Sequence, residues 1–401
     1  MVVAIVGGGA SGMAAALAAA ENPSTQVILL ERQARLGRKL LATGNGRCNL
    51  SNEKALPGVY HGENSAFADA AIRAFPPTDT LAWFRGLGLY TVTEYSGKIY
   101  PYSDQANSVV DVLRFALEKP NIQVITGFEV TKIRKLQDGF SVGNGEESIL
   151  CNRLIIACGG LAGTKLGGSM AGYKLLGKLG HSSTRLRPAL VQLKTDWAGI
   201  SALKGVRANC RAEILHDGEL FAESSGEIQF TEYGVSGPVI FEISRDVCSQ
   251  KGSWICRLDL LAHVTVEELT AALLAKKKDL NAEELLTGVL HNRLGRVVTR
   301  AAGIRGGVVG DISRQQVEEV CHLVKVFEIP LTEPMGMDSA QVTAGGVRTA
   351  DFDENTMESK LVPGLYACGE VLDVDGDCGG YNLQWAWSSG RMAGLHAGKD
   401  L

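Results

Sequence analysis

No two cysteines in this sequence are spaced C-x-x-C. The nine present (Cys48, Cys151, Cys158, Cys210, Cys248, Cys256, Cys321, Cys368 and Cys378) are scattered and odd in number. That argues against a disulfide frame or a thiolate zinc site, and for reduced thiols in a cytoplasmic protein. The seven histidines are dispersed and form no H-E-x-x-H, so no metal is expected. Net charge is only −4, which excludes a global basic field drawing the chain to nucleic acid or an anionic membrane. Long apolar runs are also missing. The opening "MVVAIVGGGASGMAAALAAA" lacks a charged leader and is cut by glycines, so neither a signal peptide nor a membrane span is expected. There is no internal repeat and no low-complexity linker. The 401 residues are 45% hydrophobic and 21% charged, which suits a globular protein of two or three domains.

Chemistry begins at the N-terminus. Val2–Val6 is a mostly β-branched run that ends at "GGGASG"; an alanine-rich helix follows to Ala20, where Pro23 stops it. A second apolar run, Val27–Leu30, ends in Glu31. Gly7, Gly9 and Gly12 fill G-x-G-x-x-G between strand and helix. They allow a tight turn, close backbone approach to a pyrophosphate, and close helix–strand packing, respectively. The helix N-terminus offers free N–H groups and the positive end of its dipole to the phosphates. Glu31 suits ribose hydroxyls and would repel a 2′-phosphate, so the pattern favours FAD or NAD over NADP.

The C-terminal region favours FAD. In "GLYACGEVLDVDGDCGGYNLQWAWSSGRMAG" a short strand, Leu365–Cys368, runs into Gly369-Glu370, and Gly379-Gly380 precedes a helix over Tyr381–Met392. Glu370 can hold ribityl or phosphate-side hydroxyls. The N-terminus of the helix, at Tyr381–Leu383, can place N–H groups near a flavin pyrimidine edge, where reduced flavin is negative. "GFEVTKI" (127–133) is expected as a strand whose Val130 backbone covers the adenine. "RLIIACGG" (153–160) is expected as a buried strand passing the cofactor at Gly159. The loop "ATGNGRCNLSN" (42–52) should lie by the flavin ring, with Gly44 and Gly46 allowing close approach. In it, Asn45, Arg47 and Asn49 supply hydrogen bonds.

Five long stretches carry a resemblance: "GRKLLATGNGRCNLSN" (37–52), "GKIYPYSDQANSVVD" (97–111), "QFTEYGVSGPVI" (229–240), "QVTAGGV" (341–347) and "MESKLVPGLYACGEVLDVDGDCGGYNLQWAWSSG" (357–390). Along essentially its whole length the chain resembles the BaiN-like, aminoacetone oxidase-like family of FAD-dependent oxidoreductases. That family also contains a ribosomal-RNA dihydrouridine synthase. The resemblance implies tightly bound FAD and redox chemistry on a substrate that varies between members. It also implies an α/β fold: a discontinuous Rossmann-type FAD-binding domain with an inserted β-barrel-like domain and a small helical domain. One segment departs: 161–180 reads "LAGTKLGGSMAGYKLLGKLG", where relatives often carry a Ser-Thr-Gly-Asp-Gly-type run.

The residues themselves place the interruption at the same point. The FAD domain is expected over 1–185 and 336–401, the barrel-like domain over 186–262 and 327–335, and the helical domain over 263–326. Strand-like alternation marks "ALVQLKT", "VRANCRAEILH" and "GEIQFTE". "VSGPVIFEIS" reads as a turn into a short helix capped by Ser236, with Pro238 in its first turn. "TVEELTAALLAKKKDL", "NAEELLTGVL" and "SRQQVEEVCHLV" read as capped helices. Arg293, Arg296 and Arg300 share a helical face, either a solvated basic face or a contact for RNA. The insertion over 187–334 holds 17 Lys and Arg against 20 Asp and Glu, a net of −3, which weighs against RNA.

The expected cofactor contacts are Gly7, Gly9, Ala10, Ser11 and Gly12 at the turn, with Glu31, Arg32 and Lys39 after it. Gly44, Asn45 and Gly46 in the loop, Val130 and Gly159 join them, as do Gly369, Glu370, Gly380, Tyr381, Asn382 and Leu383. Candidate catalytic groups are Arg47, Cys48, Tyr100 and Cys378; each also has a plain structural reading as an ion-pair or packing residue. Trp385 and Trp387 are expected in the core. A flavin carries the redox step while the protein positions the substrate and supplies a proton. The leading expectation is reduction of an activated C=C bond, such as a steroid-like enone, on a small molecule. With only one G-x-G-x-x-G, NADH or NADPH would visit transiently as reductant. The alternatives are a uridine reductase of ribosomal RNA, binding RNA through the inserted domains, an aminoacetone-type amine oxidase, and a non-enzymatic FAD-binding module. Oligomeric state is left open.

Overall fold

The computed structural model describes residues 1–247 and 249–399; Cys248 lies outside them. The chain divides into two compact units, Met1–Pro188 together with the segment from Gln341, and Ala189–Ala340.

In the first unit five strands form one sheet: β1 (Val2–Val6), β2 (Gln26–Glu31), β3 (Ile122–Thr126), β4 (Arg153–Ile156) and β5 (Leu365–Ala367). Their order is β5-β4-β1-β2-β3, and every pairing is parallel. Parallel strands covered on both faces need unbroken apolar runs. Val3, Ala4 and Ile5 of β1, and Leu154, Ile155 and Ile156 of β4, are accordingly fully buried. The strand order reverses at β1, so the crevice beyond its carboxyl end is where such sheets bind ligands.

Helix α1 (Ala10–Ala19) is buried all round rather than amphipathic. The reason is α2 (Tyr381–Ala397), five residues longer than expected, which packs against it backbone to backbone. A Cβ on Gly390 would overlap the carbonyl of Ser11, one on Gly394 that of Ala15, and one on Gly398 would press on that of Ala19 at 2.7 Å. The i, i+4 spacing of these glycines puts them on one face of α2. Trp385 and Trp387 are 1% and 0% exposed and lie in the core, as expected. The strand expected over 127–133 is corrected: β3 ends at Thr126, Gly127 turns at φ +72°, and strand resumes only at Lys132.

The 42–52 loop is fixed by two neighbours. Ser51–Asn52, Lys98–Pro101 and Thr91–Thr93 form a small antiparallel sheet. The loop is also tied to α2. Ser51 Oγ donates to Gln384 Oε1 at 2.6 Å, and Trp387 Nε1 donates to the Leu50 carbonyl at 2.9 Å. Asn52 Nδ2 donates to the Gly379 carbonyl at 2.8 Å.

The second unit holds a six-stranded sheet in the order Leu193–Lys194, Gly234–Ser236, Glu219–Phe230, Arg207–His216, Trp254–Asp259, Phe327–Leu331. All its pairings are antiparallel. The chain leaving the last strand returns to the first: Thr332 N–H donates to the Lys194 carbonyl at 3.0 Å, and Lys194 N–H donates to the Glu333 carbonyl at 2.9 Å. This closure removes most of the open edge, which is what a barrel achieves. Helices Val266–Leu274 and Arg314–Lys325 carry capping boxes at Thr265 and Ser313. They share the sheet's own hydrophobic core. Two local expectations fail. Ser236 belongs to a strand and the cap of the helix Pro238–Ile243 is Gly237. "NAEELLTGVL" makes only a 3-10 turn, Ala282–Glu284, before Gly288 turns the chain at φ +85°. Among the described residues, no helix is long and apolar enough to cross a membrane, and no His/Cys/Asp/Glu cluster is arranged to hold a metal.

Candidate active site

The glycine turn after β1 divides its labour as the spacing predicts. Gly7, at φ +113°, and Gly12 face inward: a Cβ on either would overlap backbone, of Ala157 for Gly7 and of Gly7 itself for Gly12. Gly9 caps α1 without any side-chain hydrogen bond, and a Cβ built on it meets nothing within 4 Å. The uncapped start of α1, at Ala10 and Ser11, therefore opens onto free space with unsatisfied N–H donors. Ser11 turns its side chain away from this opening, against Gly369 and Cys368.

Glu31 at the end of β2 is fixed by two backbone donors, Gly8 N–H to Oε2 at 2.7 Å and Gln33 N–H to Oε1 at 2.8 Å. Arg32 is directed elsewhere, donating to the Gly167 carbonyl at 2.6 Å. Val130 is 4% exposed, yet among the described residues its N–H and carbonyl enter no hydrogen bond. A buried backbone pair of this kind calls for a partner, and an adenine edge offers one donor and one acceptor.

Farther along the crevice, Lys39 and Glu370 meet as an ion pair, Nζ to Oε2 at 2.7 Å, although 331 residues separate them. The other oxygen of Glu370 accepts Thr343 N–H at 2.9 Å, and Thr343 Oγ1 accepts Ala162 N–H at 2.9 Å. Thr343 lies in "QVTAGGV", to which the sequence reading gave no task; its β-strand pattern carried no hint of this bridge. Gly159, at φ +69°, again has open space where a Cβ would stand, whereas Gly160 is closed off by Glu370 and Thr343. Gly369, at φ +75°, abuts Ser11 and donates its N–H to Ser389 Oγ at 3.0 Å, so it builds the wall of the crevice.

The loop at 42–52 completes the arrangement. Gly44, Asn45, Gly46 and Cys48 all have positive φ, which turns the chain back on itself within one short stretch. Gly46 faces open space; Gly44 lies against Asn49 and the Tyr100 ring. Asn49 Oδ1 is buried and has no hydrogen-bond partner among the described residues. It sits 2.9 Å from where a Cβ on Gly380 would be, beside the start of α2, which has no side-chain cap. Asn382 is committed to the turn, exchanging hydrogen bonds with the Gly376 backbone at 2.9 and 2.7 Å. Tyr381 and Leu383 are half-buried on the first turn of α2.

Three of the four candidate catalytic residues come together. The Arg47 guanidinium lies over the Tyr100 ring, 4.1 Å from its centroid. It is held there by ion pairs to Asp104 and to Glu94, the latter at 3.1 Å. Those hydrogen bonds raise its pKa, so it stays charged. Both carboxylates escaped the sequence reading, although they flank "GKIYPYS" and a conspicuous arginine needs a counter-charge. Burial raises the Tyr100 phenol, the Glu94 charge adds to this, and Cys378 is close enough to act on it electrostatically. Cys48 is a correction. It is fully buried in the core, and desolvation pushes its thiol up to about 12. Sealed in the core, the side chain has no access to a substrate, and without thiolate at neutral pH it is not a redox nucleophile.

The open glycines, the two uncapped helix starts and the unpaired groups of Val130 and Asn49 are of the kind a flavin dinucleotide needs. The model of the HI0933-like protein Rossmann domain family matches residues 1–396. The chain is 38% identical to a 3-dehydro-bile acid delta(4,6)-reductase of Clostridium scindens, over 98% of both chains. It is 32% identical to a ribosomal RNA dihydrouridine synthase of Escherichia coli, over 96% of this chain and 95% of that one. Among solved structures, 3-ketosteroid delta1-dehydrogenase from Sterolibacterium denitrificans aligns over 99% of each chain at a TM-score of 0.50 and 11% identity, a likeness of fold alone. From a family match over nearly its full length and two whole-chain relatives above 30% identity, it follows that the chain belongs to the HI0933-like family.

Proposed function

We propose that this protein is an FAD-dependent oxidoreductase that reduces an activated C=C bond of a small molecule, with NADH or NADPH as the transient reductant. The observation that carries the reading is the 38% identity over 98% of both chains with a bile-acid reductase. Bound FAD supplies hydride transfer between its N5 and a carbon centre. Gly8–Gly12 and the start of α1 take the pyrophosphate, Glu31 the ribose hydroxyls and the Val130 backbone the adenine. Glu370, fixed by Lys39 and Thr343, faces the ribityl side, and Asn49 with the start of α2 serves the pyrimidine edge. On the substrate side Arg47 supplies a permanent positive charge for a developing enolate. Tyr100, a phenol protonated at neutral pH, lies against Arg47 and Gly44 of the loop, so it is the proton donor we assign. Anaerobic mixing of the holoprotein with NADH or NADPH should bleach the flavin, and an enone should restore its colour. Failure of both nucleotides to bleach it removes the reading.

The relative named as a ribosomal RNA dihydrouridine synthase supports a second reading with the same chemistry on a uracil C5=C6 bond. The basic helix of the insertion speaks against it. Arg300 is paired with Glu283 at 2.8 Å, and Arg296 stands 3.9 Å from Glu284, so two of its three arginines are countered. Unchanged ribosomal dihydrouridine on deleting the gene eliminates this reading.

A further inference from the structure

Tyrosine is enriched where a surface meets a partner or ligand, because its ring is apolar and its hydroxyl tolerates water. Tyr90 is 66% exposed and Tyr102 76%, and they flank the strands Thr91–Thr93 and Lys98–Pro101 of the small sheet that holds the 42–52 loop. Cross-strand register places them. Val92 pairs with Tyr100, and Tyr102 N–H donates to the Tyr90 carbonyl at 2.8 Å. Because side chains alternate along a strand, Tyr90, Val92, Tyr100 and Tyr102 share one face. The other face carries Ile99, fully buried in the core. The outward face thus exposes Val92, Tyr90 and Tyr102, with Arg85 over the Tyr90 ring at 5.7 Å, and ends at Tyr100, which is buried beneath the Arg47 guanidinium. At one end Tyr100 lies under Arg47, against Gly44 of the cofactor loop. At the other end Tyr90 and Tyr102 stand in solvent.

We infer that this face is a platform for the flat, apolar ring system of the substrate, carrying the part remote from the reacting double bond. The inference rests on the C=C reductase reading and extends it to the substrate's shape. Two observations choose this occupant. The face is continuous with the loop that lines the crevice, so one rigid molecule can touch both. The cation stacked at the inner end of this face, Arg47, is already countered by Glu94 and Asp104. A polyanion gains little there, because nucleic-acid affinity comes chiefly from cations released to phosphates. A neutral fused-ring body instead gains from stacking on two tyrosines and covering Val92.

The test uses the FAD-loaded protein and its Tyr90→Ala, Tyr102→Ala and doubly substituted variants. Testosterone serves as a rigid four-ring enone and cyclohexenone as the same reacting group without a body. The expected result is that KM for testosterone rises about tenfold per ring removed. The rate with cyclohexenone and flavin bleaching by NADPH should stay within about twofold, since both residues are exposed and away from the crevice wall. Equilibrium binding of testosterone to the oxidised holoprotein should weaken by the same factor, a readout that needs no turnover. If testosterone and cyclohexenone suffer equally, or neither changes, the platform is wrong while the reductase reading stands. If NADPH never bleaches the flavin, that reading fails, and the binding titration still decides the platform. If the variants lose salt-dependent binding of an oligouridylate and keep testosterone, the surface serves nucleic acid and the inference is overturned.

Discussion

Replacing Gly9 by alanine adds one methyl group at the start of α1, where nothing stands within 4 Å. Its φ of −82° is open to any residue. The cost to the free protein is the weaker capping of alanine, about 0.5–1 kcal/mol. The methyl group does fill the space a pyrophosphate must enter. Losing one or two charge-assisted hydrogen bonds costs about 3 kcal/mol, roughly a hundredfold in affinity. The assay is thermal unfolding of flavin-stripped protein, with and without FAD at about 100 times the wild-type Kd. Wild type should gain about 2.7 kcal/mol from the ligand and the variant about 0.4 kcal/mol. For a domain of this size that is a rise of roughly 5–10 °C against about 1 °C. Gly12→Ala is the control, because its Cβ would overlap the Gly7 carbonyl. It should lower the melting temperature of the stripped protein itself through overpacking, by about 1–3 kcal/mol. An FAD-induced rise in Gly9→Ala equal to wild type refutes the placement of the pyrophosphate. A stripped Gly9→Ala protein as unstable as Gly12→Ala refutes the division of labour among the glycines.

Lys39→Met should leave stability within about 1 kcal/mol, since the ion pair is partly exposed, while FAD affinity falls about tenfold as Glu370 loses its anchor; urea unfolding of the stripped protein checks the first and calorimetric titration with FAD the second. Arg47→Ala should keep FAD bound and still bleach with NADPH, but slow reoxidation by an enone at least about tenfold, read by stopped-flow absorbance. Cys48→Ala should alter kcat/KM by less than about twofold, and Cys48 should resist alkylation in the folded protein. Burial pushes its folded thiol up to about 12, above the 9.0 of a free thiol. Its contribution to stability is therefore fully present below pH 9 and lost as pH rises towards 12. Cys48→Ala should flatten the alkaline fall in stability by about 1.4 kcal/mol per pH unit in that window, measured by urea unfolding.

The N-terminal strand, its glycine turn and Glu31 were legible because each rests on a local rule: β-branching, glycine spacing, an acid at a strand end. The same held for the capped helices at Thr265 and Ser313. The strand at 127–133 was misread because Phe128, Val130 and Ile133 have strand-like side chains, while Gly127 breaks the ladder through its backbone conformation. Cys48 looked reactive because its loop is polar; only the fold shows that the positive φ at Cys48 turns its thiol into the core. The Lys39–Glu370 and Arg47–Glu94 pairs join residues far apart in the chain, and no spacing rule reaches across such distances.

The glycine stripe of α2 has a consequence for biosynthesis. Asn22, just past α1, donates to the carbonyl of Gly398, 376 residues later, and that region seals the buried surface of α1. At ribosomal rates of about 5–20 residues per second the seal arrives roughly 20–75 s after α1 has emerged. Throughout that interval an alanine-rich helix and a two-sided apolar strand wait without their cover. The Ala189–Ala340 unit, whose strands and helices are contiguous in the chain, can meanwhile fold on its own schedule. The nascent protein is thus expected to need a chaperone for its first half and none for its middle. Flavin would be taken up only after the stripe has closed.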